Sequence, residues 1–346
     1  MLRRLRWVIF VSLLGLAGFA PDQAEIDLVA TKRLFPDMGP GLVALKRDAA
    51  ARRYLILSSR SAGVAVYNMD GQRIGTIPPA DTSTVASSSG AKPVSSALQY
   101  PSDFDITSDG RLVVADRAAN ALRFYDAVGA LVQSIATPAP SSVAALPEGE
   151  VAVVSSAFAS PSAFGGPRLI TVYDKAGRLA RSFGDLVELA SRSDLNRFLN
   201  IGRVSSDPSG SLYYAFTFHP EPNVRKYDRF GYASLELSVT SLDIQPAAQT
   251  VRREIKRQDE KGGAPRMKTI INALGVDPVT QQLWLALGNV VLHFDREGTQ
   301  IAAYRAYSAE GVRLEPVAIL VEPDRLLFAC DPLGVFELPR PDKQKP

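Results

Sequence analysis

The chain repeats one short pattern six times, in which an apolar strand with an aromatic residue runs into a tight turn. The aromatic residues stand at positions 67, 125, 173, 227, 294 and 336, so their spacing ranges from 42 residues (294 to 336) to 67 residues (227 to 294). The second repeat ends in Tyr125-Asp126-Ala127-Val128-Gly129, and the first and the third to fifth are similar. A period of this size, built from short strands and tight turns, is typical of a β-propeller with one blade per repeat. The sequence predicts an all-β, six-bladed propeller.

Each repeat divides into up to four strands, labelled a to d from the inner to the outer side of a blade. In the second repeat these are residues 102–106, 112–115, 122–125 and 131–135, with a Ser108-Asp109-Gly110 turn between a and b. Strand b is a continuous apolar run, which is typical of strands buried on both faces. We therefore predict antiparallel four-stranded blades that stack through their b strands.

The two ends of the chain predict how the ring closes. The last repeat stops after strand c, whereas residues 26–35 form a strand that precedes the first repeat. If this N-terminal strand supplies strand d of the sixth blade, no gap is left in the ring. The prediction is one propeller over residues 24–340, followed by a disordered tail at 341–346.

The first twenty residues have the pattern of a targeting segment. Arg3, Arg4 and Arg6 precede an apolar run at 7–20, and Ala20 suits a cleavage site. Pro21 disfavours cleavage there, so a cleaved signal peptide and a retained N-terminal anchor both stay open. Either one predicts export, to the periplasm, the extracellular space or the outer side of a membrane.

Charge and cysteine content narrow the function classes. The chain has 39 Lys and Arg against 36 Asp and Glu, and without the three N-terminal arginines the two counts are equal. Nucleic-acid binding needs a basic field and is therefore not expected. The single cysteine, Cys330, lies in an apolar strand and is predicted to be a buried small side chain, not a reactive thiol.

Insertions fall on one side of the predicted disc. Because strands alternate in direction, the d–a and b–c connections share one face, and the a–b and c–d turns share the other. All the long insertions occupy d–a or b–c positions, namely 78–97, 155–168, 184–201, 216–223 and 238–268. Since loops on a rigid scaffold often carry function, we predict a single binding face at the mouth of the central channel.

Two insertions have helical character. Residues 185–190 and 194–199 carry leucines and a phenylalanine, and residues 249–260 place Val251 and Ile255 one turn apart. Between 252 and 268 there are seven basic residues against three acidic ones. This stretch is either a solvated helix or a contact for an acidic partner or a membrane surface.

The second repeat resembles the blade of NHL-type six-bladed propellers. The resemblance rests on a series that runs through Pro101, Asp109-Gly110, Val114-Ala115-Asp116, Asn120, Asp126 and Gly129. At the level of this motif it covers one blade, and at the level of fold roughly residues 26–338. It implies the propeller architecture and a binding role more than any activity, since one fold hosts many functions.

Two classes of enzyme have related propeller folds, and each requires metal ligands that can be sought in this sequence. Amidating-lyase propellers use several histidines around zinc, and here only His219 and His293 exist. Six-bladed lactonases hold calcium at the channel mouth with oxygen ligands, for which Asp103, Asn200, Asn272 and Glu315 are the candidates. Neither a nucleophile motif such as Gly-x-Ser-x-Gly nor a phosphate-binding glycine loop is present.

Arg203 also lies at the start of an inner strand, and its guanidinium would repel a cation bound at the channel mouth. The alternatives are a self-paired ring of Asp103, Arg203 and Glu315, or an anionic ligand held by Arg203 with help from Arg60 or Arg117.

We therefore expect an exported, monomeric, non-enzymatic binding propeller without a cofactor, whose partner is a protein, peptide or carbohydrate. The alternative is a calcium-dependent, lactonase-like hydrolase acting at the channel mouth. The residues expected on the ligand-binding face are Arg60, Asp103, Asp116, Arg117, Arg203, His219, Asn272 and Glu315.

Overall fold

The computed structural model describes residues 26–79, 96–157, 166–239 and 245–341. Within these residues six sheets form a ring, and the predicted six-bladed all-β propeller is confirmed. The targeting segment at 1–20 and most of the 341–346 tail lie outside the described residues, as do parts of three insertions. Among the described residues, no helix has the length and apolar composition needed to cross a membrane.

The strands follow the chain in blade order after two N-terminal strands, β1 (Ile26–Val29) and β2 (Lys32–Leu34). Blade 1 consists of β3 (Leu42–Asp48), β4 (Arg53–Ser58), β5 (Val64–Asn68) and β6 (Arg73–Ile77). Blade 2 consists of β7 (Pro101–Ile106), β8 (Leu112–Asp116), β9 (Ala121–Tyr125) and β10 (Leu131–Ala136). Blade 3 consists of β11 (Pro140–Ala145), β12 (Val151–Ser155), β13 (Arg168–Tyr173) and β14 (Leu179–Asp185). Blade 4 consists of β15 (Gly202–Ser206), β16 (Leu212–Phe216), β17 (Asn223–Tyr227) and β18 (Ala233–Ser238). Blade 5 consists of β19 (Ala273–Val276), β20 (Leu283–Leu287), β21 (Val290–Phe294) and β22 (Gln300–Tyr307). Blade 6 has β23 (Ala318–Val321), β24 (Arg325–Cys330) and β25 (Gly334–Pro339). The helices are α1 (Ser193–Leu199) and α2 (Gln245–Lys261).

The core lies between the blades, as the apolar b strands predict. Leu112 and Val114 of β8 pack toward blade 1, whereas Val113 between them packs toward blade 3. Each b strand thus serves two interfaces, which explains why its sequence is apolar without interruption. Cys330 is buried in the interface between blades 5 and 6, as predicted, and burial together with the nearby Glu315 raises the pKa of its thiol to about 12.

The repeated turn motif has a direct physical reason. The Asp126 carboxylate accepts hydrogen bonds from the backbone amides of Val128 (3.1 Å) and Ala130 (2.8 Å). Gly129 then adopts φ +89°, a left-handed conformation that favours glycine. Asp174 and Asp228 repeat the same two hydrogen bonds, so the aspartate and glycine of these repeats encode the c–d turn.

The N-terminal segment closes the ring in two places. β2 pairs antiparallel with β25 and completes the sixth blade, which confirms the predicted closure. β1 instead pairs parallel with β22 and adds a fifth strand to blade 5. The prediction of one continuous strand over residues 26–35 is wrong in this respect. The segment divides at Ala30 and Thr31, whose amides donate to the carbonyls of Tyr307 and Glu337.

Side chains also tie the sixth blade to the first. The Asp331 carboxylate accepts hydrogen bonds from the backbone amides of Gly41 (2.5 Å) and Leu42 (3.1 Å), where β3 begins. Near the other face, the buried Glu322 carboxylate pairs with Arg47 of blade 1 (2.9 Å) and Arg325 of blade 6 (2.6 Å). The two ends of the repeat are therefore joined by ionic contacts as well as by β2.

Candidate functional site at the loop-rich face

The two faces of the disc differ in the length of their connections. On the plain face, formed by the a–b and c–d turns, every turn has three to six residues. Every longer connection belongs to the loop-rich face, formed by the d–a and b–c connections: these are residues 35–41, 78–100, 156–167, 186–201, 239–272 and 308–317. Both helices belong to this face, α1 before blade 4 and α2 before blade 5.

The two helices pack on each other beside the b–c connection of blade 4. Leu195 and Leu199 of α1 are buried against Val251 and Ile255 of α2, and Phe198 stacks on Phe218 with ring centroids 4.5 Å apart. We call residues 186–201, 217–222 and 245–270 the helical cap. Of the two predicted helices in the first insertion only the second forms, because residues 186–190 are extended and their Leu189 and Ala190 amides bond the Asn196 side chain instead.

The outer side of α2 is basic, as its sequence indicates. Arg252 pairs with Glu221 and Arg257 with Glu254, so part of the charge is neutralised within the cap. Asp259 is not available for pairing with α2 lysines, because its carboxylate accepts the backbone amides of Ser191 and Arg192. A solvated helix and a contact for an acidic surface both stay open for this side.

Four charged residues and a serine line the inner strands of blades 1 to 4. Lys46 of β3 lies 3.4 Å from the Asp105 carboxylate of β7. Burial opposes the charge of Lys46, but Asp105 and Asp103 outweigh that effect and raise the pKa of its ammonium group. The second Asp105 oxygen accepts the backbone amide of Ala145 at 2.9 Å, so this carboxylate joins blades 1, 2 and 3.

Asp103 stands two residues before Asp105 on the same strand and contacts blade 3. Its Oδ2 atom accepts hydrogen bonds from the Ser142 hydroxyl (2.6 Å) and the Val143 amide (3.1 Å). Burial raises the pKa of Asp103, even though Lys46, Ser142 and Arg203 all favour its ionised form. The carboxylate is therefore held by neutral donors, with two cations nearby.

Arg203 extends from β15 in blade 4 toward blade 6. Its Nη1 atom donates a hydrogen bond to the backbone carbonyl of Val317, the residue before β23, at 2.8 Å. Blades 4 and 6 are not neighbours, so this side chain passes the start of β19 in blade 5. Burial lowers the pKa of the Arg203 guanidinium, and the charge of Asp103 opposes that shift.

The proposed calcium ligands are placed differently from one another. Asn200 is buried, and its Oδ1 accepts the Val187 amide (2.8 Å) while its Nδ2 bonds the Val187 carbonyl. Asn272 Oδ1 accepts the Gly288 amide (2.8 Å), and Glu315 is exposed beyond the end of blade 5. Within the described ranges no three His, Cys, Asp or Glu side chains gather as a metal site requires. Calcium binding thus stays a prediction without a converging ligand set.

The predicted Asp103–Arg203–Glu315 ring is also not a set of direct ion pairs. In the described part of the chain, no ion pair joins Arg203 to either carboxylate, although Asp103 is close enough to influence its pKa.

Three other predicted site residues lie at b–c turns. Asp116 is buried, where it pairs with Arg123 (3.3 Å) and accepts the backbone amides of Gln99 and Tyr100. Its role is to hold the start of blade 2. Arg60 and Arg117 follow β4 and β8 with exposed side chains on the loop-rich face.

His219 is buried beside the helical cap. Its ring stacks on Phe216 with centroids 3.8 Å apart, and its Nε2 atom is sealed from solvent with no partner among the described residues. Burial, reinforced by the charge of Arg225, lowers the pKa of His219 to about 3. The imidazole is therefore neutral at physiological pH.

This burial makes stability sensitive to acid. The unfolded chain binds a proton at His219 below its ordinary pKa of about 6.5, whereas the folded chain does not until about pH 3. Stability therefore falls as pH drops through this window. From pH 7 to pH 5 we expect the wild type to lose roughly 2 kcal/mol more than His219→Phe, which keeps the stacking on Phe216. Urea unfolding at both pH values measures this, and equal losses in the two proteins would contradict the assignment.

Sequence reasoning missed Lys46, Asp105 and the Val317 carbonyl. Asp105 was detectable, because it follows Asp103 by two residues and so projects to the same side of the strand. Lys46 and the carbonyl had no such signal, since their roles depend on how neighbouring blades are placed.

Comparison with models of known protein families and with curated protein sequences finds no match. Solved structures do match over most of the chain. Virginiamycin B lyase from Staphylococcus aureus is 12% identical with a TM-score of 0.51, and the match covers 89% of this chain and 98% of the lyase. The calcium-binding protein regucalcin from Agrobacterium tumefaciens is 14% identical with a TM-score of 0.52, over 90% of this chain and 95% of that one. At such identities the likeness supports the fold alone.

Proposed function

We propose that this protein is an exported binding propeller whose loop-rich face receives a protein, peptide or carbohydrate partner. The observation that carries the proposal is the asymmetry of the disc, because every connection longer than six residues is on that face. Insertions without a function would have no reason to avoid the plain face. Export is supported by the sequence of residues 1–20 alone.

The packing of the helical cap supports a preformed surface. Its helices have their own buried cluster, and the Arg192 guanidinium ties the two together by donating to the Gln258 carbonyl (2.7 Å). A rigid surface loses little conformational entropy when it binds, which favours affinity.

Site-specific photo-crosslinking in the producing cell tests which face is used. A photoreactive phenylalanine analogue replaces Tyr100 or Lys268 on the loop-rich face, and Val128 or Val279 on the plain face. All four side chains are exposed, so the positions are matched in accessibility. We expect discrete adducts from Tyr100 and Lys268 and none from the two valines.

The plain face also exposes the large apolar side chains of Phe230 and Tyr232, so it is a stringent control for nonspecific crosslinking. Adducts confined to the valine positions, or absent from all four, would refute the proposed face. The hydrolase alternative has its own test, which is calcium titration followed by calorimetry with EDTA as the control; a saturable site there would favour the alternative.

A further inference from the structure

We propose that the channel mouth on the loop-rich face binds a carboxylate group and that Arg203 is the residue that holds it. The inference deepens the proposed function and rests on it, because it names the chemistry by which a ligand on that face is recognised.

Arg203 is a half-buried cation in the ring, and among the described residues its side chain makes one hydrogen bond. The Val317 carbonyl accepts a hydrogen bond from Nη1. Over the described residues the side chain makes no ion pair with a carboxylate within 4.0 Å. The Nε and Nη2 atoms are not among the unpartnered atoms sealed from solvent, so they remain reachable from the channel. A guanidinium has five N–H donors in a planar fork, and most of those of Arg203 are unused.

The other charged groups of the channel already have partners. Lys46 pairs with Asp105, and the Asp103 Oδ2 atom is held by Ser142 and Val143. Removing a charge from water without an opposite partner is costly, so an anion beside Arg203 would offset a penalty that the fold alone leaves in place.

The surroundings select the kind of anion. A carboxylate fits the fork of a guanidinium through two parallel hydrogen bonds. Asp103 carries a negative charge close enough to act on Arg203, and it would repel a dianionic phosphate more than a singly charged carboxylate. A monoanion is therefore the best match.

Asn272 supplies a second donor at the same mouth. It lies directly before β19. This inner strand packs between β15, which bears Arg203, and β23, which follows Val317. Because its Oδ1 atom accepts the Gly288 amide, the Nδ2 group is the part of the carboxamide left to donate. A polar donor beside a guanidinium is a common arrangement for orienting a carboxylate.

Two sources could present a carboxylate. One is a peptide, through its C-terminus or an acidic side chain, and the other is a free small carboxylic acid. The test therefore compares pairs that differ only in charge. N-acetylglycine is measured against N-acetylglycinamide, and a tetraalanine peptide with a free C-terminus against the same peptide amidated, by saturation-transfer NMR and calorimetry on the full chain.

We expect at least one carboxylate to bind tenfold or more tightly than its amide. Arg203→Met should abolish that difference while melting within a few degrees of the wild type, because methionine fills much of the same volume without a buried charge. Arg203→Lys, which keeps the charge without the fork, should retain only part of the affinity. Arg229→Gln is the control, an exposed arginine in the plain-face c–d turn of the same blade, and should bind like the wild type.

Preference for the peptide pair would identify a peptide source, and preference for the small acid a metabolite. Equal binding of acids and amides, equal binding by Arg203→Met, or no binding up to 50 mM would each overturn the inference. The proposed face is tested separately, since adducts at Tyr100 with no carboxylate binding would retain the face and reject only the Arg203 site.

Discussion

Deleting residues 26–34 is expected to lower the melting temperature of the propeller by roughly 10 °C, at about 2 °C for each kcal/mol lost in a chain of this size. The deletion removes β1 and β2 together, leaving the outer edges of β22 and β25 in two blades unpaired. It also removes the buried Leu28 and Ala30 from the core between blades 5 and 6. Losing one such leucine alone costs about 2–5 kcal/mol, and the lost strand pairing adds to that.

Two point variants separate packing from chain length. Leu28→Ala should destabilise the protein by about 2–4 kcal/mol in urea unfolding, because Leu28 is 3% exposed. Val29→Ala is the control in the same strand, since Val29 is 46% exposed, and should change little. If the deletion melts like the full chain, closure by the N-terminal segment does not stabilise the ring.

The fold was predictable because its signals are local and repeated. In the c–d turn of blade 2 the Asp126 carboxylate accepts backbone amides a few residues away and Gly129 adopts a left-handed conformation, so the sequence alone reports such turns. The uninterrupted apolar b strands likewise record burial on both faces. Six copies of such signals left few other architectures open.

The split of the N-terminal segment was not predictable in the same way. Residues 26–35 contain no glycine or proline, so nothing in them marks the change from a parallel partner in blade 5 to an antiparallel partner in blade 6. Leu28 is buried while Ile26 and Val29 are exposed, a pattern that fits either edge. Choosing between them requires the positions of β22 and β25, which are set by the rest of the ring.

Site residues were the hardest to predict, because polar side chains in this protein often serve the backbone. Asp116 and Asn200 look like ligands in the sequence, yet one holds the start of blade 2 and the other fixes the chain before α1. Arg203 has the same kind of position at the start of an inner strand, and it differs in lacking a full set of partners. That difference is visible only once all six inner strands are assembled.

A buried ion pair joins blade 6 to blade 5 at the C-terminal end, where Arg340 follows β25 directly. Its guanidinium pairs with Asp277 in the a–b turn of blade 5, with both side chains 2% exposed, and donates to the Glu322 carbonyl at 2.9 Å. Burial alone would raise the pKa of Asp277, but hydrogen bonds from Val279, Thr280 and Arg340 outweigh it and the pKa is lowered. The stability that this carboxylate supplies is therefore present above pH 4, its ordinary pKa region, and is lost as the pH falls below that.

Breaking this pair should cost about 3–5 kcal/mol, since Asp277→Asn removes the buried carboxylate that pairs with the Arg340 guanidinium. Arg340→Met should cost less, because the backbone amides of Val279 and Thr280 still hold the carboxylate. The double variant should be more stable than the sum of the two single losses predicts, which a double-mutant cycle in urea measures as coupling. Arg296→Met is the control, since its pair with Glu297 is exposed and its loss should not be measurable. Additive losses would show that Arg340 packs against blade 5 without an ionic link.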